Sequence, residues 1–527
     1  MSLQPAPLFD LDFFAPLPIQ IEVSDAPLTS DAGLLLLRQF DDKIGLTAQF
    51  AAALNDPRNP ELIEHSFVDM VRMRVFGILA GYNDQNDHDT LRTDPAFKLI
   101  ANRSPNGAHL ASQPTLSRFE NQIDIPSLKN LRDVFIDEFI ASFAEPPLTL
   151  TFDLDPVDDE THGTQQLSLF HGYYEQYQYL PLVITCAEND AIVMVSLRQG
   201  TATASMGADD DLAYLIKRIR EVWPNVRIRV RGDCGFGNPT MYDICESLDV
   251  IYTFGQSANA VLQRETQGLL DEAVRRWEET YEPQRLFDGF WYRAESWSVA
   301  RWIVVKAEAN LQGTNRRFVA TNRPGAALYL EATYDEYAMR GESENRNKEY
   351  KCGMAMDRLS DHRFMANFFR LYLHAAALNM LARLRREIAD PPPAPSDDVP
   401  AEALPEPTRK QYQNARRRRD PLGEGQPATW RLLLIKVAAT VVVSCRRIVI
   451  RLSGSWPNQP FFERVRQSRR AGIGVRPCLT SGPDEASHNA KNSMGVRGRC
   501  APNRTRGARN RSVCRASDTL SWSLEQR

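Results

Sequence analysis

The chain has 527 residues, of which 43% are apolar and 25% charged, with a formal charge of −4. That length implies two to four domains, and the composition is ordinary for a soluble globular protein with a substantial core. The near-neutral balance does not announce a nucleic-acid partner but does not exclude one. A local basic face is averaged away, and from residue 467 onward twelve Lys and Arg stand against four Asp and Glu.

The eight cysteines (Cys186, Cys234, Cys245, Cys352, Cys445, Cys478, Cys500 and Cys514) are scattered and form no C-x-x-C pair. This argues against a zinc site or a disulfide scaffold and points to a reducing, cytoplasmic compartment. The first residues, MSLQPAPLFDLDFF, lack the charged start and apolar run of a secretory signal. The longest apolar stretch, 432–444, is interrupted by Lys436 and too short to span a bilayer, so it is expected to be a core element and no membrane partner is expected.

In chain order, residues 28–140 show apolar spacings of three and four that predict helices, ending at Pro146-Pro147. LTLTFDLD (148–155) alternates strictly, which predicts a strand with Thr149, Thr151, Asp153 and Asp155 on one face. LPLVITCAE and AIVMVSLRQG predict two more strands, DDDLAYLIKRIREVW a helix, VRIRVRGD a strand and MYDICESL a helix. A helical segment and then alternating aromatic runs predict a strand-rich insertion over about 256–330. A long helix is predicted over 360–386. Residues 391–407 are Pro- and acid-rich, as a linker is, and WRLLLIKVAATVVVSCRRIVIRLSGSWP forms a last apolar unit. Beyond about 467 the composition resembles disorder, and its arginine excess is what translation past a normal end into GC-rich sequence would produce.

Three acidic features stand out. Asp153 and Asp155 close the alternating strand, and two carboxylates on one face repel unless a hard cation such as Mg²⁺ neutralises them. A solvated strand face ending in an acidic turn is the plain alternative. Asp233 ends a strand and enters a Gly-rich turn, RGDCGFG, where Asp-x-Gly is also common for turn reasons alone. YAMRGESENRNKEYK (337–351), taken as one helix, places Tyr337, Arg340, Glu344 and Lys351 within about 60° of arc, with Lys348 extending the stripe. A carboxylate there could hold metal while the cations and the tyrosine hold phosphates; a surface helix laced with i,i+4 ion pairs reads the same way.

The spacing Tyr337-(2)-Arg340-(3)-Glu344-(6)-Lys351 resembles the Tyr-Arg-Glu-Lys signature of a large group of bacterial insertion-sequence DDE transposases, in the RNase H-like superfamily. GYNDQNDHDTLRTDP, LASQPTLSRFEN, DLDPVDDETHGTQQ, YLPLVI, RGDCGFG, ENRNKEYK and RLSGSWP extend the resemblance over about 28–465. It implies an α/β fold: an RNase H-like catalytic core with a β-rich insertion, preceded by an all-α N-terminal DNA-binding region. The expected organisation is 1–147 for binding DNA ends, 148–387 for the catalytic domain, 388–410 as linker, 411–466 as a C-terminal unit and 467–527 as a basic tail. Asp155, Asp233 and Glu344 are the expected catalytic metal ligands. Asp155 is preferred as the first, although it lacks the threonine that the family often places two residues on, and Asp153 could substitute. Two Mg²⁺ ions are implied, with Mn²⁺ as an alternative, and Tyr337, Arg340, Lys348 and Lys351 would grip DNA phosphates. His162 and Gln166 read as structural or substrate-positioning. The implied partners are duplex DNA (terminal inverted repeats and target) and a second copy of the chain. The implied reaction is cut-and-paste transposition, which in this group generally runs through hairpin intermediates, in the bacterial cytoplasm at the nucleoid. A non-transposing RNase H-like nuclease and a catalytically inactive DNA-binding relative are the rival readings.

Overall fold

The computed structural model describes residues 7–11, 17, 19–22, 26–389 and 419–467. Nearly all of the expected linker and tail therefore lies outside the described residues. The N-terminal region is not all-helical. Strands β1 (Pro7–Leu11) and β2 (Ile19–Glu22) form an antiparallel pair, and β3 (Leu28–Thr29) follows. Seven helices come next: α1 (Leu34–Ile44), α2 (Leu46–Ala52), α3 (Phe67–Ala80), α4 (His88–Leu91), α5 (Pro95–Ile100), α6 (Gln113–Asn121) and α7 (Ile125–Ala141). Their limits follow from local chemistry. The Ser66, Asp94 and Asp124 side chains each accept a first-turn N–H, and Gly81 ends α3 in the left-handed region. Helix α3 is buried on almost every side, its Arg72 and Arg74 included, which pair with Asp41 and Glu120.

The central sheet begins with β4 (Thr149–Pro156). Two short strands, β5 (Asp159–Glu160) and β6 (Leu169–His171), precede β7 (Gln176–Tyr179); β8 (Leu182–Cys186) and β9 (Ile192–Ser196) then return to the main sheet. Helix α8 (Ala208–Val222) leads to β10 (Arg227–Gly232), and α9 (Pro239–Ser247) to β11 (Ile251–Gln256). The insertion contains α10 (Ala260–Glu265), α11 (Gln267–Thr280) and a meander of β12 (Gln284–Tyr292), β13 (Arg301–Asn310) and β14 (Gly313–Thr321). The result is one mixed eight-stranded sheet, ordered β12-β13-β14-β11-β10-β4-β8-β9. Strands β4, β10 and β11 run parallel, while β8, β9 and the insertion strands are antiparallel to their neighbours.

After the sheet come α12 (Leu330–Ala338), α13 (Gly341–Lys348), a π-helical turn at Glu349–Gly353 and α14 (Phe364–Ile388). The C-terminal described segment has α15 (Pro427–Trp430), a second π turn (Arg431–Ile435), the hairpin β15 (Ala439–Val443) and β16 (Ile448–Leu452), and α16 (Gln459–Gln467). Strand β3 adds to the edge of that hairpin.

Alternation along the strands feeds two cores, one on each face of the sheet. Val183 and Val195 point into a core shared with α1–α3, α5–α7, α14 and the Trp430–Ile435 segment, while Leu182, Ile184 and Met194 join α8 and α9 on the other face. A buried carboxylate, Glu120, ties α6 to both α3 and α14 through Arg74 (2.7 Å) and Arg370 (2.5 Å). Burial pushes its pKa up, but the two guanidiniums outweigh that and the net direction is downward. Among the described residues no helix is long and apolar enough to cross a membrane.

Candidate active site

The acidic face of β4 is not a solvated one. The strand is central and Thr151 and Asp153 are buried along with Leu150, Phe152 and Leu154. Asp153 lies directly opposite Arg231 of β10 and forms a two-pronged ion pair with it, at 2.6 and 2.7 Å. A third contact from Arg231 reaches the Glu336 carbonyl at 2.8 Å. Both carboxylate oxygens of Asp153 are thus engaged, and the residue is 2% exposed.

Asp155, two residues on, emerges where β4 ends. Asn347 of α13 donates to its Oδ2 at 2.7 Å, with Ser343 Oγ at 3.5 Å and Arg340 at 3.8 Å. Asp233 follows β10 directly and is oriented by the Gly235 N–H, 2.8 Å from Oδ1. A Cβ at position 235 would overlap Ala204 Cβ and stand 3.0 Å from that same carboxylate oxygen, so the turn needs glycine there. Glu344 projects from α13 with its side chain 64% exposed and accepts from Arg340 at 3.0 Å. These acids share one electrostatic environment. Burial pushes the Asp155 carboxyl up to about 7; Arg340 opposes the rise, and the charges of Asp233 and Glu344 add to it. The Tyr337 hydroxyl is likewise raised, chiefly by burial, with Arg340 beside it pulling the other way.

The predicted single helix over 337–351 is broken. Around Met339 and Arg340 the bonds run to the third residue back (Arg340 to Tyr337, Glu342 to Met339, Ser343 to Arg340), and Gly341, a poor helix former, opens α13. The bend keeps Tyr337, Arg340 and Glu344 together but separates Lys351, which lies in the π turn. Its Nζ donates to the Asp158 carboxylate at 2.9 Å and to the Asp158 carbonyl at 2.7 Å. Lys348 is exposed at the end of α13. His162 is exposed, whereas Gln166 is built into the scaffold: its carbonyl accepts from Tyr179, its backbone N–H reaches the His362 carbonyl and its side chain accepts from the Phe364 N–H. Ser343 and Asn347 were not anticipated. Their i,i+4 spacing on the face of α13 turned toward Asp155 is the only signal the sequence holds for them.

The carboxylates of Asp155, Asp233 and Glu344 would offer a hard divalent cation oxygen donors and negative charge, although the nearest partners of Asp155 are Asn347, Ser343 and Arg340. Yet among the described residues no group of three or more His, Cys, Asp or Glu side chains is arranged to hold a metal ion. Two engagements account for this: Glu344 is turned onto Arg340 and Asp155 onto Asn347. Being exposed, the Glu344 side chain is free to change rotamer.

Asp155 and Asp233 thus stand at the ends of two parallel strands, with Glu344 on a later helix. Residues 15–393 match the family model described as transposase DDE domain group 1, and the chain belongs to that family. It is a family of transposases, DNA-cleaving enzymes that work with divalent metal ions, and DNA is the partner it implies. No curated protein matches the chain.

Proposed function

We propose that the chain is a transposase of the Tyr-Arg-Glu-Lys signature group, which binds the inverted repeats at element ends, cleaves there and joins the freed 3′-hydroxyl to target DNA. The observation that carries this reading is the family match over residues 15–393 together with the placement of Asp155 at the end of β4, Asp233 directly after β10 and Glu344 on α13, beside Arg340, which also lies 3.8 Å from Asp155. Supporting it is the order of the strands. Three antiparallel strands (β4, β8, β9) precede two that run parallel to the first (β10, β11), and the aspartates stand where β4 and β10 end, as an RNase H-like core would have them.

Asp155, Asp233 and Glu344 would hold the divalent ions, Mg²⁺ first and Mn²⁺ as the alternative. When bound, such ions activate the attacking hydroxyl and neutralise charge on the leaving oxygen. Asp153 is not assigned to this set, because Arg231 occupies both of its oxygens. Arg340, Tyr337, Lys348 and Lys351 would hold phosphates of the DNA, and a bound phosphate would compete with Glu344 for the Arg340 guanidinium. Lys351 is held by Asp158, from which a phosphate would have to draw it. Pairing of two ends calls for a dimer in the DNA complex.

The test is a labelled duplex carrying the element's inverted repeat, incubated with Mg²⁺ and either the wild-type chain or Glu344→Gln. Wild-type nicking at the repeat boundary that the variant lacks supports the reading. Equal cleavage by both removes Glu344 from the site. Binding without cleavage by the wild type favours an inactive DNA-binding relative, and cleavage without joining favours a nuclease.

A further inference from the structure

Arg198 stands two residues beyond β9, where loop 199–207 sets out for α8. Its side chain is buried, and among the described residues its guanidinium donates to backbone carbonyls alone. Nε reaches Leu180 at 2.7 Å, and Nη1 is shared among Thr203 (3.2 Å), Ala204 (2.7 Å) and Met206 (3.1 Å). Nη2 is buried without an acceptor among the described residues. Burial lowers the pKa to about 10, so the group is still a cation at neutral pH. A buried cation with no carboxylate bonded to it costs more than an apolar side chain packed in the same space. Stability alone does not call for an arginine here; the shape of the loop does.

That shape is passed on to the turn that carries Asp233. The first half of the loop is fixed without Arg198. A Cβ at Gly200 would lie 2.1 Å from the Gln178 carbonyl oxygen and 2.3 Å from that of Leu169, so the backbone there is packed tightly against β6 and β7. The second half depends on the arginine. The three carbonyls it holds bracket Ala204 and Ser205, and these two residues meet the turn after β10. A Cβ at Gly235 would come to 2.4 Å from Ala204 Cβ, so the two segments are in direct contact. Ser205 Oγ accepts from Asn238 Nδ2 at 2.9 Å, while Asn238 Oδ1 caps α9. Gly235 is also the residue whose N–H orients Asp233, 2.8 Å from Oδ1. Where Gly235 sits therefore decides where the Asp233 carboxylate points.

We infer that Arg198 is a positioning residue for Asp233: its hold on the carbonyls of Thr203, Ala204 and Met206 keeps Ala204 and Ser205 against Gly235 and Asn238, and so sets the place of the Asp233 carboxylate. This rests on the transposase reading, in which Asp233 is a metal ligand, and adds to that site a support that acts only through other residues. Removing a partner that orients a metal-binding side chain costs about 10–100-fold in metal affinity or activity.

The test reads metal binding as well as cleavage. Mn²⁺ is titrated into the full chain without DNA, and the free ion is followed by its electron paramagnetic resonance signal. The component of binding that Asp233→Asn loses is the one compared among variants, each checked for folding by circular dichroism and urea midpoint. Arg198→Lys keeps the charge but not the planar fork. It is expected to weaken that component by about tenfold or more, and to raise the Mg²⁺ needed for half-maximal cleavage in step. Ser205→Ala removes one acceptor from a half-buried residue and leaves Arg198 intact; a weakening of about threefold is expected. Thr203→Ala keeps the carbonyl that Arg198 holds and is expected to bind as the wild type does. The inference is overturned if Arg198→Lys lowers the urea midpoint while its folded fraction binds Mn²⁺ normally, or if Thr203→Ala does as much damage as Arg198→Lys. If Arg198→Lys does not fold, Ser205→Ala decides: weakened binding supports the inference and wild-type binding overturns it. In each of these failures a loss of Mn²⁺ by Asp233→Asn leaves the transposase reading standing. Should Asp233→Asn bind as tightly as the wild type, Asp233 is no metal ligand, and that reading falls first, taking this inference with it.

Discussion

Asp153 and Asp155 look alike in sequence, and substituting each by asparagine is expected to have opposite effects. Asp153→Asn removes the charge opposite Arg231 while leaving that guanidinium inside the sheet, facing a neutral amide with one accepting oxygen and the Glu336 carbonyl. Breaking a buried ion pair from one side costs about 3–5 kcal/mol. With a denaturant slope of about 3 kcal/mol per molar, the urea midpoint should fall by about 1–2 M. Asp155→Asn should do the reverse. The folded protein already holds this carboxyl at about 7, so burial and the neighbouring charges disfavour its ionised form, and an amide can still accept from Asn347. Its midpoint should equal or exceed that of the wild type, while Mg²⁺-dependent cleavage disappears. Urea unfolding followed by tryptophan fluorescence, combined with cleavage assays well below both midpoints, separates the two. The reasoning fails if Asp153→Asn is as stable as the wild type yet catalytically dead, or if Asp155→Asn still cuts.

Other expectations follow from the same geometry. Gly255→Ala would bring a Cβ to 2.7 Å from the Cys234 N and 2.8 Å from the Tyr337 hydroxyl, displacing the loop of Asp233; cleavage should drop by about 100-fold with the protein still folded. Glu120→Gln leaves Arg74 and Arg370 facing each other in the helical core, so a loss of about 3–5 kcal/mol is expected in chemical denaturation, with midpoints matching the wild type refuting it. Asp159 is fully buried with neither carboxylate oxygen hydrogen-bonded, and burial, with Asp357 and Asp158 adding, holds its pKa well above the ordinary value against the pull of Lys351. A folded pKa above the unfolded one means stability is greatest below the unfolded pKa and falls as pH rises through the folded one, by about 1.4 kcal/mol for each pH unit in which only the folded chain keeps the proton. Asp159→Asn should flatten that decline in melting temperature against pH; an unchanged slope would exclude Asp159 as its source.

Much of the fold was legible because burial writes periodicity into the chain. β4, β8, β9, α8, β10 and α9 all fall where alternation or three-and-four spacing predicts them. The hairpin β6–β7 escaped notice because its alternation is of tyrosine and glutamine, which carries little hydropathy contrast. The break at Met339–Arg340 escaped because an angular plot assumes the helix it measures; only Gly341 hinted otherwise. Strand β3 was missed because it exists by pairing with β15, more than four hundred residues away. At the site, the strand pattern put Asp153 and Asp155 on one face correctly but could not say which of them a neighbouring strand would claim. That depends on β10 lying parallel to β4 in a given alignment, which is tertiary information.

The same alignment gives the Asp153–Arg231 pair a further consequence. Sliding by two residues, about 6.6 Å, returns the same side chains to the same face, so alternation alone does not choose among those settings. A shift of one residue would turn Arg231 to the opposite face, into the apolar layer under α8 and α9; a shift of two would either leave Arg231 against Thr151 or set it against Asp155, taking that carboxylate out of the site. The pair therefore holds the setting in which Asp153 is neutralised and Asp155 is left for the site. In that setting Gly232 stands beside Leu154, so the next residue along each strand end, Asp233 and Asp155, comes out side by side. The aspartate that holds no metal in this reading is what sets the spacing of the two that do.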